Sequence, residues 1–115
     1  MASIGSVGSV APGSRDVRDR PEIVCLCGSL RFLAEMRAVD RELSLAGAVV
    51  VAPVEVDGPV SQEQRAALAT LHLRKIDLAD RVLVVAPGGY VGESTRREIA
   101  YARAAGKPVA FTDPV

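Results

Sequence analysis

Glu98 closes the stretch Pro87-Gly88-Gly89-Tyr90-Val91-Gly92-Glu93-Ser94-Thr95-Arg96-Arg97-Glu98, one turn inside a segment with helical spacing. A carboxylate near a helix start is kept ionised by the dipole and the free N–H groups, which suits a nucleophile attacking an electron-poor anomeric carbon. Retaining glycosyl transfer needs such a group and also a proton donor for the departing base. The candidate donors are Glu93 and Tyr90 within the glycine loop, and Asp77 and Asp80 before it. Asp80 just precedes a strand, at the end away from a ligand crevice, and Asp77 belongs to the same remote side. Glu98 also has a purely structural reading, because Thr95-x-x-Glu98 is the pattern of a capping box.

The residues around Glu98 are those of an anion site. Gly88, Gly89 and Gly92 allow a sharp turn and a close backbone approach, while Ser94, Thr95 and the helix-start N–H groups can receive a phosphate or carboxylate. A second glycine–hydroxyl pair, Gly28-Ser29, follows an earlier apolar run. Arg31 comes next, and Arg96 and Arg97 occupy the matching place near the later helix start. A cation in a first helical turn opposes the dipole, so the two sets together favour a phosphorylated ligand.

These groups need strands and helices to bring them together. Apolar runs at Ile23–Cys27, Ala48–Ala52, Val82–Ala86 and Pro108–Thr112 read as strands, separated by helical patterns over about 30–45, 62–78 and 96–105. Phe32, Met36, Val39 and Leu43 form one stripe on the first helix, which Ser29 caps and Gly47 stops. On the second, Ser61 and Gln64 make a capping box, and Leu68, Leu71, Ile76 and Ala79 supply the buried face. The third ends at Gly106-Lys107-Pro108. Helix-joined strands pair in parallel through right-handed crossovers, so the expected fold is α/β and flavodoxin-like or Rossmann-like, strand order 2-1-3-4, with helices on both faces. In that order Cys27-Gly28-Ser29 and the Pro87–Glu98 stretch meet at the switch point.

With 115 residues, the chain is read as a disordered tail over 1–20 and one nucleotide-binding domain over 21–115. Fourteen basic and fourteen acidic residues cancel, and aromatics are only 3%, so neither a basic nucleic-acid stripe nor a stacking platform is expected. The absence of a long apolar run or signal-peptide pattern suggests a cytoplasmic protein without a membrane partner. Cys25 and Cys27 alternate on a strand and read as reduced core thiols; with His72 as the single histidine they make a poor zinc site. His72 itself reads as a partly buried helix residue beside the apolar stripe. No cofactor and no metal are expected.

Thr95-x-x-Glu98-Ile99-x-Tyr101-Ala102-x-x-x-Gly106-Lys107-Pro108-Val109, after Asp77-x-x-Asp80-x-Val82-Leu83-Val84-Val85, resembles the C-terminal half of the nucleoside 2-deoxyribosyltransferase superfamily. Ile23-Val24-Cys25-Leu26-Cys27-Gly28-Ser29-x-Arg31-Phe32 is similar to the opening strand and loop of its short bacterial and phage members. The resemblance implies that Glu98 is the nucleophile and that the protein is a homodimer or larger homo-oligomer. A second likeness, carried by Cys27-Gly28-Ser29 and Pro87-Gly88-Gly89-x-x-Gly92-x-x-Thr95-x-x-Glu98, is to cytokinin-activating phosphoribohydrolases. Both imply cleavage of an N-glycosidic bond in a small nucleoside or nucleotide. The expected roles are nucleophile for Glu98, proton donor for Glu93 or Tyr90, and sugar and phosphate binding for Gly28, Ser29, Arg31, Gly88, Gly89, Gly92, Ser94, Thr95 and Arg96. A non-catalytic nucleotide sensor with the same loop is the alternative.

Overall fold

The apolar run Ile-Val-Cys-Leu-Cys forms β1 (Ile23–Cys27), whose last four residues have no solvent exposure. Such a strand requires cover on both faces and a neighbour on each edge. In the computed structural model, which describes residues 20–114, it has both. The other strands are β2 (Val49–Val51), β3 (Arg81–Val84) and β4 (Val109–Phe111). They form one parallel sheet in the order β2-β1-β3-β4. This is the expected order and class. The expected tail lies outside the described residues except for Arg20, which pairs with Asp80.

One face is covered by α1 (Leu33–Leu45), entered through a 3-10 turn over Leu30–Phe32. Met36, Val39 and Leu43 pack on Val24, Leu26 and Val85 as the stripe predicts. The other face carries α2 (Gln62–Leu78) and α3 (Glu93–Ala104). Ile76, Ala79, Ile99 and Ala102 pack there on Cys25, Cys27, Val82 and Val84. The period of two along β1 therefore sends both cysteines to the α2/α3 side.

Two elements differ from expectation in ways that matter for the site. The capping box of Ser61 and Gln64 forms, but the buried residues of α2 are His72 and Ile76, with Leu68 half-buried in line with them and Ala79 buried just past the helix end. Leu71 is 44% exposed, because one residue on a helix turns the side chain by about 100°. The third helix begins at Glu93, with Gly92 at its cap, rather than near Arg96. Thr95 is thus inside the first turn and buried, and Thr95-x-x-Glu98 forms no capping box. Glu98 is left with its carboxylate free for other partners.

The Gly106-Lys107-Pro108 stop has a clear physical basis. Gly106 takes φ 77° and its N–H reaches the Arg103 carbonyl at 3.0 Å, while the Lys107 N–H reaches that of Ala102 at 2.9 Å. The Lys107 ammonium then donates to the Asp77 and Ala79 carbonyls, at 3.0 and 2.8 Å, at the end of α2. One short turn therefore closes two helices. No helix among the described residues is long and apolar enough to cross a membrane.

Candidate active site

At the C-terminal end of β1 the chain turns through Gly28, where φ is 156° and an added Cβ would come within 2.8 Å of the Val85 carbonyl oxygen. Only glycine lets β1 and the end of β3 approach this closely, with the Val85 N–H bonded to the Cys27 carbonyl at 2.8 Å. The loop after β1, the loop over 53–60, α2 and the start of α3 then enclose a cleft of about 750 Å3. It opens at the switch point between β1 and β3.

The cleft gathers Gly28, Ser29, Gly92, Glu93, Ser94, Thr95 and Glu98 from the sequence-derived set. Gly92 offers no side-chain cap, so the first-turn N–H groups of α3 lack a capping partner there. The rest of the set lies elsewhere. Arg31 stacks over the Tyr90 ring at 4.5 Å, and Phe32 meets the same ring edge-on at 5.7 Å. Tyr90 thereby ties the glycine loop to the entry of α1 instead of facing the cleft. Gly88 donates its N–H to the Asp113 carboxylate at 2.9 Å, and Gly89 and Arg96 border a separate hollow of about 470 Å3.

Burial of Ile99 and Ala102 against the sheet sets which arginine of α3 meets the cleft. Arg97 lines the cleft, and Arg65 and Lys75 of α2 join it. These cations could neutralise an anionic substrate group in place of Arg31 and Arg96. Lys75 also donates to the Ala52 carbonyl at 2.7 Å and so holds the end of β2 to α2. Of the more remote acids, Asp80 accepts from the Ile23 N–H at 2.7 Å and from Arg20, while Asp77 accepts from the Tyr101 hydroxyl at 2.8 Å. Tyr101 reaches the cleft wall; Asp80 serves the opposite end of the sheet.

The residue the sequence undervalued is His72. It is only 5% exposed, yet it lies on the cleft floor, with Nε2 3.7 Å from Glu98 Oε1, 3.3 Å from Cys27 Sγ and 3.8 Å from Cys25 Sγ. A spacing of four from Leu68 and from Ile76 was the available signal for its inward direction. Burial pushes the Glu98 carboxyl above its usual value, and the neighbouring His72 offsets part of that rise. Burial works against charge on His72, but the Cys25 thiol and Glu98 outweigh it and raise its value. The Cys27 hydrogen bond lowers Cys25 to about 6 despite burial, whereas Cys27 is driven upward by Cys25 and by burial. A titratable cluster therefore lies directly beneath the cleft.

No protein-family model matches the sequence, and neither does any curated protein. The structure is similar to that of a 2-deoxyribosyltransferase from the psychrotolerant bacterium Bacillus psychrosaccharolyticus, with a TM-score of 0.62 and 22% identity. The likeness covers 77% of this chain and 70% of that one. The chain thus has a nucleoside 2-deoxyribosyltransferase-like fold.

Proposed function

We propose that the chain cleaves or transfers at the N-glycosidic bond of a nucleoside or nucleoside 5′-monophosphate, with Glu98 as nucleophile. The observation that carries this reading is the Glu98 carboxylate on the cleft wall, its side chain 19% exposed, in a fold similar to that of a 2-deoxyribosyltransferase. A Glu98 oxygen attacks C1′ as the C1′–N bond breaks, and the bond's electron pair leaves with the base, which takes up a proton. Glu93 is the acidic candidate at the cleft mouth for that proton. Water, or the nitrogen of a second base, then displaces the sugar from Glu98, giving hydrolysis or transfer.

Binding follows from the same wall. Ser94, Thr95 and the α3 start suit hydroxyls or phosphate, Arg97 and Arg65 add positive charge, and Leu68, Val54 and Val56 offer apolar surface to a base. Association into a homodimer or larger assembly is part of the proposal, supported by the exposed Leu71 and Leu78 on α2. Sedimentation velocity tests it.

The decisive experiment incubates the protein with a panel of deoxyribo- and ribonucleosides and their monophosphates and follows free base by chromatography. Base release that disappears in Glu98→Ala supports the enzyme. No release from any substrate, with nucleotide binding that survives Glu98→Ala, replaces it with the sensor reading.

A further inference from the structure

Beneath the cleft, the polar side chains that His72 Nε2 meets, those of Cys25, Cys27 and Glu98, are metal-ligand types. Cys25 Sγ, Cys27 Sγ and His72 Nε2 lie within 4.8 Å of one another, and all three residues are buried. A tetrahedral zinc site with Zn–S of about 2.3 Å and Zn–N of about 2.0–2.1 Å has S···N edges of about 3.5 Å. The two S···N separations here are 3.3 and 3.8 Å. Glu98 Oε1 is 3.7 Å from the same nitrogen but not within 4.8 Å of both sulfurs, so its side chain must turn inward from the cleft to supply a fourth donor.

Ordinary core packing does not account for this group. A leucine would continue the stripe of Leu68, Ile76 and Ala79 without the cost of burying an imidazole. The other ring nitrogen, Nδ1, is buried without a hydrogen-bond partner, so the ring is oriented from its Nε2 side, by the two sulfurs. The polar contacts gather on the Nε2 side, toward the two sulfurs and the carboxylate. Both cysteines are free, and their shared face of β1 is imposed by the strand period. The ligand that a Cys-x-Cys pair lacks in sequence is brought by α2.

We propose that Cys25, Cys27 and His72, with Glu98 as fourth ligand, form a site for one soft divalent cation, Zn(II) by donor chemistry. Binding needs both cysteines as thiolates and His72 as the neutral imidazole, so any protons these groups still carry go to solvent, and no electron is transferred. Occupancy engages the Glu98 carboxylate, so the metal-loaded protein does not attack C1′. This last consequence rests on the proposed role of Glu98; the binding itself does not.

The test is a titration of chelator-treated, reduced full-length protein with Co(II), read by absorption. Expected are the sulfur-to-metal charge-transfer band and the visible bands of tetrahedral Co(II), saturating at one equivalent and erased by Zn(II). Cys25→Ser and Cys27→Ser weaken Zn(II) binding by more than the roughly 10–100-fold typical of outer-shell changes. If these variants do not fold, the wild-type charge-transfer band still reports sulfur ligation directly. Absence of that band, or stoichiometric binding that both serine variants retain, overturns the site. Base release by metal-free protein is measured in parallel. Bands without base release in any state leave the metal site standing and remove the glycosidic reading, whereas base release without bands does the reverse. Base release that persists at full Zn(II) occupancy removes Glu98 as fourth ligand.

Discussion

His72 Nε2 stands 3.7 Å from Glu98 Oε1, linking α2 to α3 across the floor of the cleft. Neither side chain serves its own helix: His72 faces the sheet, and Glu98 caps nothing. Each is therefore free to act on something in or under the cleft. This contact separates the chemical reading of Glu98 from the capping reading, because the two predict different consequences of the same substitution.

Glu98→Gln keeps the size and hydrogen-bonding capacity of the side chain and removes the nucleophilic carboxylate. Base release is expected to fall by roughly 10³-fold or more. The melting temperature should move by less than about 4 °C, the shift that 1 kcal/mol produces in a domain of this size. A large thermal loss with activity retained would reverse the assignment.

Gly28→Ala places a methyl group 2.8 Å from the Val85 carbonyl oxygen, at a φ that side chains rarely adopt. The expected cost is about 1–3 kcal/mol. Urea denaturation should show a lower midpoint with an unchanged slope. An unaltered midpoint means that the contact between β1 and the end of β3 relaxes freely.

Asp80 gives a pH-dependent contribution with a defined sign. Arg20 and then the Ile23 N–H hold its carboxyl below the usual carboxylate range, so the folded state binds this proton more weakly than the unfolded chain. The contribution is complete above the unfolded pKa of about 3.9 and disappears as pH falls through the lower folded value. Asp80→Asn should be less stable than wild type at neutral pH, and the gap should close in strong acid. Thermal melts across that range check it; a gap independent of pH contradicts the ion-pair account.

Ile76 and Leu71 test which stripe of α2 is buried. Ile76→Ala is expected to cost about 2–5 kcal/mol, because Ile76 is fully enclosed. Leu71→Gln should stay within about 0.5 kcal/mol in the monomer. Equal losses at the two positions would return Leu71 to the core.

Strands, helices and their order were legible because the local signals agree with one another. Four apolar runs, the Ser61–Gln64 box, the Gly47 and Gly106 stops and the right-handed crossover rule lead to β2-β1-β3-β4 without reference to any distant contact. The meeting of Gly28-Ser29 with the start of α3 follows from that order, and the Thr95-x-x-Glu98 spacing by itself singles out Glu98. What the chain could not reveal locally was angular and three-dimensional. The packing of Ile99 and Ala102 on the sheet fixes how α3 is turned, which brings Arg97 to the cleft and puts Arg96 beside the other hollow. Lys107 satisfies the end of a helix some thirty residues earlier. His72 is 45 residues from Cys27 in sequence and 3.3 Å away in space. Periodicity sets which face of an element a residue occupies; only the packing of α2 and α3 on the sheet decides which residues from separate faces share one site.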